Sequence, residues 1–407
     1  MGISEMKIQS NNTPLEAVSS KKIGFLFICF LIFLFPLSYE GLSINYTFLL
    51  APFLSIFFYQ TLQRPRVIYQ LFILVYVLIF LIAAIYQYEF YPEIIRRVSS
   101  FILFISMFTF MFVKIDKSMV LAFKLAVVTI SVFFSIKSVL SFIFLGGSSL
   151  GFEAKDLIGS QRFGFIYILA IWVVFYEFNK VRILKLIKII VLLILVLGLF
   201  LTFSRASLLS LILSFFLMFL HGFVLWVKNP NFRNFGKAIG IFILCTLFVY
   251  LLNIIFPIIG QFFDERLFSF FLNSEAVDGN LQDENSSEGT RVAILKMILN
   301  FVLANPLTGT GYLGVWNISN GFTGSAHNQH TDTLLRTGVI GFLIYSYLIF
   351  RLLSFLYKYE KGFFWGFIGI LIYGLFHETF KESQGGFVLS FLVGLISVQS
   401  VNKMDNK

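Results

Sequence analysis

Residues 183–227 read ILKLIKIIVLLILVLGLFLTFSRASLLSLILSFFLMFLHGFVLWV. Two apolar runs flank the short polar sequence TFSR, and each run has about the 20 residues that a helix needs to cross the hydrocarbon core of a bilayer. The pattern predicts two antiparallel membrane-spanning helices, at 183–203 and 206–227, joined by a tight turn that carries Arg205. Because a segment in lipid must satisfy its own backbone hydrogen bonds, this pair indicates a helical membrane protein.

The composition of the whole chain extends this interpretation. Of 407 residues, 58% are hydrophobic and 13% are charged, whereas a soluble domain has about 25% charged residues. These values exclude a soluble globule, a disordered chain and a nucleic-acid-binding domain. We predict an all-α polytopic membrane protein with about 12 transmembrane helices. The other ten predicted spans are 23–38, 42–60, 67–87, 98–113, 118–145, 163–178, 237–257, 338–357, 362–378 and 385–400.

The charges predict the orientation. With the N-terminus inside, every cytoplasmic loop is short and basic, and most acidic residues lie outside, as the positive-inside rule requires. Both termini are therefore predicted to be cytoplasmic. The predicted organisation is a tail at 1–22, transmembrane helices 1–9 within 23–257, a large outer loop at 258–337, transmembrane helices 10–12 within 338–400, and a tail at 401–407.

The large outer loop has room for chemistry. Within it, Thr290 is expected to cap a helix that begins at Arg291 and that Pro306 ends. That helix is apolar but too short to span, so we expect it to lie at the interface. The sequences LTGTGYLG and AHNQHTDTLLRTGVIGF then lead back into the membrane.

Two histidines of this loop have three interpretations. His327, His330 and Asp332 would form a zinc site, but the spacing lacks the HxxxH or HExxH pattern. A general base is the better functional interpretation, because imidazole accepts a proton near neutral pH. The alternative is that both are solvated loop residues. We predict no metal and no cofactor.

Three outer-face arginines, Arg162, Arg205 and Arg291, suggest an anion site. Interfacial arginines often reach lipid headgroups. Several that converge would instead bind a phosphate or diphosphate, because guanidinium donates two parallel hydrogen bonds and keeps its charge. Such a site stabilises a diphosphate leaving group without a metal. The sequence has no Walker A loop, DxD pair in an outer loop or GxSxG motif.

The motifs TFSRASLLSL, EGTR, NPLTGTGYLG and AHNQHTDTLLRTGVIGF occur in this order, and the ordered set resembles the O-antigen ligase/polymerase superfamily of bacterial inner-membrane glycan transferases. RFGF at 162–165 is similar to the Arg-x-Gly entry to a span in that family. The resemblance covers about 160–345 and implies a GT-C-like glycosyltransferase of the hexosyltransferase type. Its active site would be periplasmic and its mechanism inverting and metal-independent.

The resemblance also implies roles for residues. Arg205 and Arg291 would bind the diphosphate, His327 would activate the acceptor hydroxyl, and Asn328 would position His327. Arg162 is a weaker match. His330 and Arg336 are neighbours of a match and are predicted to contact substrate.

Function and partners follow from the same resemblance. A polymerase joins undecaprenyl-diphosphate-linked repeat units, whereas a ligase transfers the finished glycan to lipid A core. The Asp-Leu-Leu-Arg before Thr-Gly favours a polymerase, with the ligase as the alternative. The predicted partners are the lipid-linked donor, a glycan or lipid A core acceptor, membrane lipid and a chain-length regulator.

A flippase or transporter for a lipid-linked sugar is the second alternative. Transporters place ionisable groups near the membrane midplane, and Lys124 and Lys137 are the midplane candidates. Because the sequence suggests no paired carboxylates in other spans, we expect no proton-coupled path.

Overall fold

The described residues of the protein, in a computed structural model, form helices and no β-strand. They are 20–34, 78, 113, 115–144, 164–177, 182–202, 204–228, 236, 240, 287–307, 309–311, 314–319, 326–381 and 383–402. The helices are α1 (Ser20–Leu34), α2 (Lys117–Phe144), α3 (Gly164–Glu177), α4 (Arg182–Leu201), α5 (Arg205–Lys228), α6 (Ser287–Ala304), α7 (Val315–Ile318), α8 (Gln329–Tyr359), α9 (Lys361–Tyr373) and α10 (Ser383–Asn402), with a 3-10 turn at Thr379–Lys381.

These helices coincide with eight of the predicted spans. Three stretches are long and apolar enough to cross a membrane, namely Lys117–Leu140, Ala206–Val224 and Gln329–Tyr359, so the described part of the chain is helical and typical of a membrane protein. The predicted spans 42–60, 67–87, 98–113 and 237–257 lie outside the described residues, apart from positions 78, 113 and 240. The total of about 12 spans and the GT-C-like arrangement stay predictions.

Helix α3 lies at the centre of the described bundle. Every residue from 164 to 174 is buried, and α3 packs against α2, α4, α5 and α9. Two glycines of α9 allow this close approach. A Cβ at Gly366 would lie 2.7 Å from a methyl carbon of Leu169, and one at Gly369 would lie 2.5 Å from a methyl carbon of Ile168. Small residues serve this purpose in membranes, where helix association depends on close packing.

The bundle has two ends, which we name by one residue each. At the Arg205 end, α3, α5 and α8 begin and α9 ends; at the Lys124 end, α2 and α9 begin and α3 and α8 end. The prediction that Lys124 is a midplane residue without carboxylate partners is wrong. Its Nζ lies 2.6 Å from Glu177 Oε1 and 2.7 Å from Glu360 Oε2, about two turns from the start of α2. Lys137 of the same helix is exposed.

Two predicted boundaries can be compared with the structure. Helix α6 begins at Ser287, so Thr290 lies inside the helix and is not its cap. The helix ends before Pro306, as predicted. Helix α8 is broken at Gly338, where φ is 64°. Residues 329–337 therefore form a short helix in front of the predicted span, which was expected to begin at 338.

Candidate functional site

The TFSR turn between α4 and α5 is built by its own side chains. Thr202 Oγ1 donates to Leu199 O at 2.7 Å and so closes α4. Ser204 Oγ accepts from Ser207 N at 3.3 Å and caps α5. Arg205 is therefore the first residue of α5. The unpaired N–H groups and the dipole at a helix start favour an anion, as does the positive charge of Arg205.

His327 and Asn328 form a second turn, in front of α8. Asn328 Oδ1 accepts from His330 N at 2.9 Å and from Thr331 N at 3.1 Å, which caps the helix. His327 has a φ of 51° and is the one non-glycine residue with a positive φ in the described part of the chain. Left-handed backbone at a residue with a side chain is uncommon and often marks a functional position.

The start of α8 is tied to the end of α9. Gln329 N donates to Gly374 O at 2.7 Å, and Gln329 Oε1 accepts from Phe380 N at 2.7 Å. The ring of His330 lies 3.1 Å from Leu371 O through Nε2. Because a carbonyl oxygen only accepts, His330 is assigned as the donor and Nε2 carries the proton.

The TFSR turn and the His327 turn are connected indirectly, through the packing of α3 and α9. A Cβ at Gly164 would lie 1.8 Å from Ser207 Oγ of α5 and 3.2 Å from Cε2 of Tyr373. The Tyr373 ring also stacks on His377, with centroids 4.6 Å apart. Gly164 thus lies between the start of α5 and the end of α9, which holds the start of α8. This packing brings the backbones of Arg205 and His327 to the same end of the bundle.

Helix α6 packs along the first turns of α8. Its buried face shares one apolar cluster with Ala326 and Leu335, and Val339 N donates to Pro306 O at 2.7 Å beyond its C-terminal end. The side chain of Arg291, in the N-terminal part of α6, is exposed. Helix α6 therefore belongs to the assembly that carries His327 and leaves Arg291 accessible.

Arg336 lies inside this assembly. Its Nε donates to Asp332 Oδ2 at 2.7 Å, and the side chain of Arg336 is 10% exposed. A Cβ at Gly314, where φ is 60°, would lie 2.5 Å from Arg336 Nη2. The glycine-rich turn after α6 therefore packs directly over the guanidinium. These contacts favour a structural role for Arg336, and its predicted contact with substrate stays a prediction.

Of the other predicted site residues, the structure describes some and not others. The backbone of Arg205 is described, whereas Arg162 lies outside the described residues, two positions before Gly164. Among the residues that the structure describes, no group of three His, Cys, Asp or Glu side chains could hold a metal ion.

Two residues of the site were not predicted from the sequence. Gln329 joins the start of α8 to residues 374–380, and Glu378 Oε1 accepts a hydrogen bond from Ala326 N, next to His327. The sequence HETF around Glu378 gave a weak signal, since its polar residues follow a span directly. No pattern connects it with His327, because the two residues are far apart along the chain.

Residues 189–346 match the family model described as O-antigen ligase. The matched segment contains the TFSR turn, α6 and the His327 turn. Comparison with curated proteins gave no match. Through residues 189–346, the protein is similar to the O-antigen ligase family.

Proposed function

We propose that the protein is a surface-polysaccharide polymerase that joins undecaprenyl-diphosphate-linked oligosaccharide repeat units at the periplasmic face. The observation that carries the proposal is the packing of Gly164 between the start of α5 and the end of α9. It brings together the turn with the candidate diphosphate ligand and the turn with the candidate base. The family match supports a function of the O-antigen ligase/polymerase type in general.

The proposed reaction is an inverting glycosyl transfer. The acceptor hydroxyl oxygen attacks the anomeric carbon of the donor glycan, a new glycosidic bond forms, and the bond from that carbon to the diphosphate oxygen breaks. His327 accepts the proton of the hydroxyl. Arg205 and Arg291, with Arg162 as a third candidate, bind the diphosphate as its negative charge increases. Asn328 holds the turn that carries His327 through its cap on α8.

A ligase is the second candidate, and the matched family model carries that description. It would transfer the same lipid-linked glycan to lipid A core. Both reactions use the same cations and base and differ in the acceptor. Both proposals place the protein in the bacterial inner membrane and use an undecaprenyl-diphosphate-linked donor. The polymerase proposal also includes a chain-length regulator as a partner.

The lipopolysaccharide ladder of a deletion strain separates the two. Core with a single repeat unit indicates a lost polymerase, and bare core with accumulated lipid-linked polymer indicates a lost ligase. An unchanged ladder would contradict both.

Complementation of the deletion strain with variants tests the role of Arg205. We expect Arg205→Ala to restore no ladder at normal protein level, since one preorganised donor to a developing charge contributes about 10²–10³ in rate. The matched control is Arg351→Ala, which removes an exposed arginine in the second half of α8 and should restore the ladder fully. A normal ladder from Arg205→Ala would overturn the assignment.

The proposed mechanism also predicts that the purified enzyme keeps its activity in EDTA. Loss of product in EDTA, restored by Mg²⁺ or Mn²⁺, would contradict metal-independent transfer.

A further inference from the structure

The backbone at His327 needs support from outside its own turn. With a φ of 51°, its conformation is one that a residue with a Cβ rarely adopts. Such backbone persists where the surrounding contacts fix it. The cap made by Asn328 acts on the helix that follows. Other contacts must therefore fix the chain on the two sides of His327.

Both sides of His327 are anchored to one segment, residues 374–380. On the N-terminal side, Ala326 N donates to Glu378 Oε1. On the C-terminal side, Gln329 N donates to Gly374 O at 2.7 Å, and Gln329 Oε1 accepts from Phe380 N at 2.7 Å. Ala326 and Gln329 are each 7% exposed. An anchored buried residue on either side leaves His327 little freedom to change its backbone angles.

We propose that Glu378 is a positioning residue for His327 in glycosyl transfer, and that it acts with Gln329 through this pair of anchors. Glu378 holds the backbone in front of His327, and Gln329 holds the backbone behind it. The imidazole is thereby kept in place for the acceptor hydroxyl. This inference rests on the proposed function, because it assigns Glu378 to the same reaction.

The chemistry of the contact suggests a sharp pair of variants. A backbone N–H needs an acceptor oxygen, which a glutamine side chain also offers. Glu378→Gln therefore keeps the hydrogen bond and removes the charge. Glu378→Ala removes both and leaves the buried Ala326 N–H without that acceptor, which is unfavourable for the native turn.

The experiment uses the purified full-length protein in proteoliposomes, with lipid-linked repeat units as donor and acceptor. We expect Glu378→Ala to lower kcat about tenfold or more, because a displacement of about 1 Å can cost 10²-fold in rate. KM for the donor should stay near its wild-type value, and Glu378→Gln should keep most of the wild-type kcat. Asn300→Ala, an exposed position of α6, is the control and should behave as wild type.

Hydrogen–deuterium exchange gives a readout that does not depend on turnover. In Glu378→Ala, the peptide that covers residues 326–330 should exchange faster than in the wild type. In Glu378→Gln and Asn300→Ala it should exchange at the wild-type rate.

Three outcomes would overturn the proposal on Glu378. Wild-type kcat and exchange in Glu378→Ala would show that Glu378 does not hold the turn. Equal losses in both Glu378 variants would show that the charge matters and not the hydrogen bond. A raised KM with normal kcat would indicate a role in substrate binding. A wild-type protein that transfers no glycan would refute the proposed function instead, and the exchange rates would still decide whether Glu378 holds the turn.

Discussion

At the Lys124 end of the bundle, a buried ammonium lies between the carboxylates of Glu177 and Glu360, 2.6 and 2.7 Å away. At the Arg205 end, Asp332 pairs with Arg336 inside the assembly of α6 and α8, whereas Arg291 is exposed. The first end uses its charges to join helices that are distant in sequence. The Arg205 end contains the TFSR turn and the His327 turn, and it leaves the side chain of Arg291 exposed. If the proposed function is right, the Lys124 end stabilises the bundle and the Arg205 end carries out the chemistry.

The largest effect should come from the loss of His327 at the Arg205 end, and a histidine at the Lys124 end offers a control. We expect His327→Ala to lower kcat about 10²–10⁴-fold, the usual contribution of a general base. His221→Ala is the matched control, because His221 Nε2 contacts Tyr357 Oη at the Lys124 end. It should leave kcat near wild type. The measurement is the initial rate of glycan transfer by purified protein.

His330→Ala makes the same comparison within one turn. His330 donates to Leu371 O, and one such hydrogen bond contributes about 1 kcal/mol. Its loss should therefore be much milder than the loss of His327. If His330→Ala abolished transfer and His327→Ala did not, the base would be assigned to the wrong histidine.

The second prediction concerns the Lys124 end. Removal of one partner of a buried ion pair costs about 3–5 kcal/mol. Because the side chain of Glu177 is 43% exposed, we expect a smaller loss from Lys124→Met, about 2–3 kcal/mol. The protein should unfold at a lower temperature in detergent. Below that temperature, it should transfer glycan at the wild-type rate.

Lys137→Met is the control for this prediction, since Lys137 is an exposed lysine of the same helix. Its unfolding temperature should not change. If Lys124→Met abolished transfer without a change in unfolding temperature, the proposed separation between the stabilising end and the chemical end would be wrong.

The same contrast explains what the sequence predicts and what it does not. Hydrophobic run length locates α2, α3, α4 and α5 within a few residues, because membrane span length is set by the bilayer. The TFSR turn is predictable because Thr202 and Ser204 hydrogen-bond locally. The Asn328 cap is also local, since Asn328 Oδ1 accepts from His330 N and Thr331 N. The positioning of His327 by Asn328 is implied by the resemblance and stays a prediction.

Contacts between distant segments carry no such signal. Glu177 and Glu360 look like ordinary charges at the ends of spans, and Lys124 then looks like a midplane residue. The contact between Glu378 and Ala326 requires the packing of α9 against α8. Arg336 is a candidate substrate ligand because it is a neighbour of the match in the segment AHNQHTDTLLRTGVIGF. Its burial under Gly314 depends on a turn that folds back from α6.

The last prediction concerns Gly164, whose packing connects the two turns of the Arg205 end. A Cβ there would lie 1.8 Å from Ser207 Oγ and 2.8 Å from Ser207 Cβ, so Gly164→Ala must move α3 and α5 apart. Overpacking of this kind costs about 1–2 kcal/mol, and the displacement should lower transfer about tenfold by moving Arg205 relative to His327. Gly222→Ala, with open space around it in α5, should instead be neutral or slightly stabilising. The double variant Gly164→Ala with Ser207→Gly removes the atoms that clash and should recover part of the lost rate. If Gly164→Ala lowered the unfolding temperature but left the transfer rate unchanged, this packing would serve stability alone, and the two ends of the bundle would differ less than their contacts suggest.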